Sequence, residues 1–216
     1  MVTTLYLIRH GETEGADTKR YKGSIDVPLS ENGIQQIKKT SAFIMEHIWN
    51  SASSKYLPAA GNDMDIKLHA VYCSNLGRAV KSAEIIAEPY GLYPVKILAL
   101  RERNFGIWEG MNFDEIREKY PPEFESWANN PLKYSPMGGE STLEVRERVI
   151  NALDEIIENH NEERIAIVAH GGVNRIVLCH LLGIPLENIF RIEQDYAALN
   201  IIEFWDKYPV VKLING

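Results

Sequence analysis

Strand-like apolar runs alternate with segments of helical periodicity along most of this chain, and that alternation limits the fold more than any single residue does. Residues 3–8 (TTLYLI), 70–73 (AVYC), 95–98 (VKIL) and 164–169 (RIAIVA) are expected strands. Between them, residues 31–49 carry Ile34, Ile37, Ala42, Phe43, Ile44 and Ile48 near helical spacing, with Ser30 as N-cap. Residues 77–90 form a helix that turns Ala79, Val80, Ala83, Ile86 and Ala87 inward, and residues 173–182 form another, ended by Gly183 and Pro185. Residues 141–159 open with Ser141 and, three residues on, Glu144, a capping-box pattern. Short helices are expected at 114–120 and 123–128, around Pro121 and Pro122. Two closing strands, 198–204 and 210–214, are joined by a turn at 206–208 and pair antiparallel at an edge. The pattern implies an α/β protein, a three-layer α/β/α sandwich with a mostly parallel central sheet. Residues 50–67, rich in Ser, Ala, Asn, Gly and Pro, are expected as a long surface loop or small flap rather than a domain boundary.

The 216 residues suffice for one domain, residues 1–216, with a sizeable core. A net charge of −7 argues against a nucleic-acid-binding or anionic-membrane surface, although a local basic pocket needs only a few residues. Cys73 and Cys179 sit inside apolar runs and are expected as buried thiols in a reducing compartment. No basic segment followed by a long apolar run opens the chain, and no run has membrane-spanning length, so the cytosol is the expected location.

Chemistry in such sheets sits beyond the carboxyl ends of the strands. The first strand runs into Arg9-His10-Gly11, and 164–169 runs into His170-Gly171-Gly172. The 70–73 strand leads to Arg78. If these strands are neighbours, two histidines and two arginines converge. Arginine forks suit phosphate oxygens, and amides at glycine-rich turns add donors. One histidine is then a nucleophile that forms a phosphohistidine, and the other stabilises charge on the transferring group. A general acid must protonate the leaving oxygen. Glu102 is the candidate, with Glu12 and Glu109 as nearby alternatives. No carboxylates or cysteines accompany the histidine pair at ligand spacing, so neither metal nor cofactor is expected. His47, His69, His160 and His180 receive no role.

The stretches RHGET, SNLGRAVKSAEII, RERNFGIWEG, GGEST and AHGGVNR, in that order, resemble the histidine phosphatase superfamily, in its phosphoglycerate-mutase-like branch. The resemblance implies that fold and covers nearly the whole chain. It implies His10 as the phosphorylated nucleophile, Arg9 and Arg78 as phosphoryl ligands, His170 as the second pocket histidine and Glu102 as proton donor. It further implies a backbone amide from Gly171 near the phosphate. Arg20, Lys22 and Gly23 match a loop that borders the substrate, and Thr13 matches a hydroxyl near the nucleophile. The chain departs from the pattern at Ala16, where many members carry asparagine, and at Lys22, where a neutral residue is common. Lys22 either replaces the missing contact or binds a second anionic group.

Three functions fit this resemblance: a phosphomonoesterase, a phosphoglycerate mutase and a non-catalytic binder of phosphorylated ligands. Mutases of the family carry a basic insertion after the FG-x-x-x-G segment. Here residues 111–134 hold Asp114, Glu115, Glu118, Glu123 and Glu125 against the isolated Arg117, Lys119 and Lys133. The phosphatase is therefore the expected activity. RYKGSIDVPLS, LRERNFGIWEG and the tail resemble the alpha-ribazole phosphatases, with a broad-specificity or sugar-phosphate phosphatase as the alternative. The expected partner is a small phosphorylated metabolite, with neither nucleic acid nor membrane. A homodimer is left open.

Overall fold

Successive side chains of the first strand, β1 (Val2–Arg9), enter two different cores: Leu5 and Leu7 one, Tyr6 and Ile8 the other. A strand buried on both faces needs a layer of helices on each side. The computed structural model, which describes residues 2–18, 20–52 and 66–216, has those layers. The sheet also contains β2 (Ala70–Cys73), β3 (Val95–Lys96), β4 (Arg164–Ala169), β5 (Leu199–Trp205) and β6 (Tyr208–Leu213). Its strand order is β3-β2-β4-β1-β5-β6. Strands β3, β2, β4 and β1 run parallel, while β5 is antiparallel to β1 and β6 to β5.

On one face, Leu5, Leu7, Ile165 and Ile167 pack against α5 (Thr142–Glu158) and α6 (Gly171–Leu182) through Val149, Leu153, Val173 and Val177. On the other, Tyr6, Ile8, Ala166 and Val168 meet α1 (Glu31–Ala52) and α2 (Gly77–Ala87) through Ile37, Ile44, Ala83 and Ile86. Each fully buried aliphatic side chain contributes about 1.5–3 kcal/mol. Two short helices, α3 (Phe113–Lys119) and α4 (Pro121–Asn129), form a cap in which Phe113 packs on Phe124 and Trp127, and Trp127 meets Trp108, which stacks on Tyr134. Among the described residues no helix is long and apolar enough to cross a membrane. Cys73 and Cys179 are buried free thiols.

Several boundaries differ from expectation for physical reasons. Helix α1 continues through residue 52, so residues 50–52 of the expected loop belong to it, and 53–65 lie outside the described residues. Its inward positions are 37, 44 and 48, which turns Phe43 out to 48% exposure. Helix α2 stops at Ala87, where a three-ten turn containing Pro89 takes over, since proline has no N–H to continue the α pattern. Strand β3 is two residues long because only Tyr72 and Cys73 of β2 pair with it; the chain then turns through Leu98–Leu100. Pro121 and Pro122 open α4 rather than interrupt it, and α6 starts two residues earlier than its apolar pattern, at Gly171. The Ser141–Glu144 capping box forms as expected, and Asn112–Glu115 forms a second one.

A clasp ties residues 20–25 to residues 105–111. Tyr21 N–H donates to Met111 C=O and Gly110 N–H to Tyr21 C=O. The Glu109 carboxylate accepts N–H bonds from Ser24 (2.8 Å), Ile25 (3.1 Å) and Phe105 (3.0 Å). Gly23, at φ +31°, lies so close that a Cβ there would stand 2.1 Å from the Glu109 Oε1. Glu109, an alternative proton donor by sequence, thus has its oxygens engaged by backbone amides. Replacing Glu109 with Ala leaves the Ser24 and Phe105 N–H groups without that acceptor. The expected loss is about 1–3 kcal/mol, seen as a fall of several degrees in Tm and faster amide exchange at Ser24 and Phe105. Unchanged exchange at both positions would remove Glu109 from this role.

Candidate active site

Because β4 lies between β1 and β2, the three carboxyl ends carrying His10, His170 and the approach to Arg78 are adjacent. Backbone bonds extend the ladder past the strand ends: His10 N–H donates to Ala169 C=O and Ser74 N–H to Val168 C=O. The His10 and His170 rings lie 5.1 Å apart, centroid to centroid.

His10 Nδ1 is 2.7 Å from Gly11 C=O. A carbonyl oxygen only accepts, so Nδ1 carries the proton and Nε2 keeps its lone pair. His10 is 6% exposed. Burial, and after it the Arg78 and Arg9 charges, hold its imidazole well below the usual histidine range. His170, fully buried, is held neutral by burial first, then by His10 and the same arginines. Among the described residues neither of its buried ring nitrogens has a hydrogen-bond partner. Unpartnered buried nitrogens are costly unless a ligand satisfies them.

Arg78, 3% exposed, is the second residue of α2. A cation there opposes the helix dipole. Its guanidinium donates to Ile25 C=O and Gly23 C=O, each at 2.7 Å, and lies 3.9 Å from Asp26. The clasp thereby orients Arg78. Arg9 donates to Gln194 C=O and stacks over the Tyr196 ring at 4.0 Å, while its buried Nε has no partner among the described residues. Burial lowers the pKa of both arginines, and the Glu102 carboxylate opposes that shift in both.

The Glu102 carboxylate accepts N–H bonds from Gly172 and Arg103, each at 3.0 Å. Gly172 is at the start of α6, where a Cβ would stand 2.6 Å from Glu102 Oε1, so a side chain there would displace the Glu102 carboxylate. Gly171 is buried, and a Cβ there would lie 3.3 Å from Arg9 Nε. His10, His170, Arg9, Arg78, Gly171 and Glu102 therefore converge at the carboxyl ends of β1 and β4.

The remaining candidates lie on the segment between β1 and α1. Thr13 is buried, and its hydroxyl accepts from Lys22 Nζ at 3.0 Å. Gly23 contributes its carbonyl to Arg78. Arg20 points instead to the cap, in a bidentate pair with Glu115 at 2.6 and 2.8 Å. Glu12 accepts from the Ser30 hydroxyl and anchors the start of α1. Among the described residues no group of three or more His, Cys, Asp or Glu is arranged to hold a metal ion.

Sequence reasoning missed Tyr196, whose ring lies 5.8 Å from His10 and under Arg9. Nothing in DYAALN marks it. It also missed Asn174, one helical turn after His170. With its amide oriented to match its neighbours, Asn174 accepts from Arg9 N–H and donates to His170 C=O. The signal was its spacing of four in AHGGVNR.

The chain is similar to phosphoserine phosphatase 1 of Hydrogenobacter thermophilus, 31% identical over 212 residues, covering 98% of this chain and 91% of that protein. It is similar to the adenosylcobalamin/alpha-ribazole phosphatase of Escherichia coli K12, 26% identical over 213 residues, covering 98% and 95%. A solved structure of the alpha-ribazole phosphatase from Shigella flexneri superposes with a TM-score of 0.83 at 25% identity, covering 99% of this chain and 96% of that one. The model of the histidine phosphatase superfamily (branch 1) matches residues 5–57 and 55–216. The chain belongs to the histidine phosphatase superfamily, branch 1.

Proposed function

We propose that this protein is a single-domain cytoplasmic phosphomonoesterase that works through a phosphohistidine on His10. One observation carries the proposal: a neutral His10, its tautomer set by Gly11 C=O, stands beside buried Arg78, half-buried Arg9 and a His170 whose buried ring nitrogens have no hydrogen-bond partner among the described residues. The phosphoryl dianion binds between Arg9 and Arg78 and accepts from the Gly171 amide at the start of α6. His10 Nε2 attacks phosphorus as the ester P–O bond breaks. Glu102 gives its proton to the leaving alcohol oxygen. His170 and the arginines stabilise charge on the equatorial oxygens. Water then attacks the phosphohistidine, Glu102 takes its proton, the P–N bond breaks, and inorganic phosphate leaves.

For the alcohol half, alpha-ribazole 5′-phosphate is the first ester to offer. Loop and tail resemblance and the similarity to the Escherichia coli relative support it. O-phosphoserine is the second, supported by the similarity to the Hydrogenobacter relative. The acidic character of residues 111–134 favours water over a second phosphoglycerate hydroxyl as acceptor. Phosphate release is measured across these esters, 3-phosphoglycerate and p-nitrophenyl phosphate. Interconversion of phosphoglycerates without release of phosphate would overturn hydrolysis.

Two predictions test the residue roles. His10→Ala abolishes the acid-labile phosphoenzyme, whereas Glu102→Gln slows alkyl esters about a hundredfold and p-nitrophenyl phosphate far less, because p-nitrophenolate leaves without a proton. Equal losses on both esters would remove Glu102 from the acid role. The depressed histidines also set a pH dependence. Their ordinary pKa is 6.5 and the folded values lie lower, so below pH 6.5 the unfolded chain takes up protons that the folded one does not. Stability of the ligand-free protein is fully present above pH 6.5 and falls below it. Thermal melts between pH 7.5 and about pH 5 should show that fall, and His10→Gln should make it shallower; an identical slope in the variant would contradict a neutral His10.

A further inference from the structure

We propose that Tyr196 is a positioning residue, whose ring fixes the plane of the Arg9 guanidinium and with it the place of the phosphoryl oxygens beside His10. The role rests on the phosphatase reading above and gives that reading a residue that no motif marks.

The two arginines are held differently. The carbonyls of Ile25 and Gly23 accept from separate nitrogens of Arg78 and so fix its guanidinium in a plane. Among the described residues the Arg9 guanidinium reaches one acceptor, Gln194 C=O, and its buried Nε has none. A single hydrogen bond fixes a point and leaves the planar group free to turn about it. The Tyr196 ring supplies the missing constraint. Arg9 Cζ lies over that ring, 4.0 Å from its centroid, where the negative face of the ring attracts a cation. Like a carbonyl, the ring orients the guanidinium without cancelling its charge. The same ring stands 5.8 Å from that of His10, so one side chain adjoins both the nucleophile and a phosphoryl ligand.

The backbone is arranged to put the ring there. Tyr196 precedes Ala197, which adopts a left-handed φ of +59° that residues with a Cβ rarely take. Ala197 N–H donates to His10 C=O at 3.1 Å, and Arg9 N–H donates to Ala198 C=O at 3.1 Å. Ala198 N–H closes the turn on Asp195 C=O. The turn is therefore stitched to the backbone of Arg9 and His10 immediately after Tyr196. Strained residues persist where their surroundings hold them, and here the strained residue places the ring. A network of amides secures the turn from behind. Gln194 and Asn200, both fully buried, exchange two side-chain hydrogen bonds of 2.8 Å, and Asn200 donates to Leu7 C=O on β1. The Asn215 side chain, just past β6, accepts from Asp195 N–H at 2.7 Å, and Asn215 N–H donates to Asn200. A satisfied buried network specifies one arrangement of the groups that share it.

Two variants separate the ring from its hydroxyl. Tyr196→Phe keeps the ring and is expected to hydrolyse p-nitrophenyl phosphate within about twofold of wild type. Tyr196→Leu fills space without an aromatic face; its kcat/KM falls about tenfold or more, and its affinity for vanadate, a phosphoryl analogue, falls by a similar factor. A packing role would cost the same with or without Arg9, so in an Arg9→Gln background Tyr196→Leu is expected to add little further loss. One arm needs neither turnover nor the Leu variant to fold. In the NMR spectrum of the wild-type protein the ring current of Tyr196 shifts the Arg9 Nε–H resonance upfield, and Tyr196→Phe keeps that shift. An unshifted Arg9 resonance, equal losses in Tyr196→Phe and Tyr196→Leu, wild-type turnover in Tyr196→Leu, or an undiminished cost in the Arg9→Gln background would overturn the positioning role and leave the phosphatase reading standing. No phosphate release by the wild type from any ester, p-nitrophenyl phosphate included, would overturn both.

Discussion

The position of β4 between β1 and β2 is the constraint on which the pocket depends. Parallel neighbours end on the same side of a sheet, so three short strands deliver His10, His170 and the start of α2 to one place. The strands are buried on both faces, which makes their register costly to change. The register Arg9↔Ala169 then sets the two histidine rings side by side. A histidine pair 160 positions apart in sequence is thus brought together by backbone hydrogen bonds.

Burial determines the electrostatics of that place. Two imidazoles without solvent beside two guanidinium groups stay neutral, and each guanidinium is oriented by carbonyls: Arg78 by Gly23 and Ile25, Arg9 by Gln194. Carbonyl acceptors orient a cation without neutralising it, which keeps the positive field available to an anion. Carboxylates in place of those carbonyls would orient the arginines equally well and cancel the field. Glu102 stands at the edge of this field, tied to the amide of Gly172.

Much of this was legible in the sequence because local rules and global fold agree. Apolar runs of strand length marked β1, β2 and β4; Ser141 with Glu144 marked the start of α5; glycine after a strand-end histidine marked both ring-bearing corners. The illegible parts depend on tertiary neighbours. The length of β3 depends on how much of β2 pairs with it. The exposure of Phe43 depends on which side of α1 faces the sheet. Arg20 and Lys22, two residues apart, looked alike in sequence, yet one reaches Glu115 on the cap and the other the loop after His10. Tyr196 enters the pocket from β5's side of the sheet, where no motif announces it.

The clasp around Glu109 has a consequence for how such a protein can diversify. Ser24, Ile25 and Phe105 bind Glu109 through main-chain amides, and Gly23 and Ile25 bind Arg78 through main-chain carbonyls. Apart from Gly23, none of these loop contacts requires a particular side chain. The loop's side chains are therefore free to drift while its backbone keeps Arg78 in register. The placement of Arg78 and the character of the loop surface become separately heritable traits, one written in main-chain geometry and the other in exchangeable side chains.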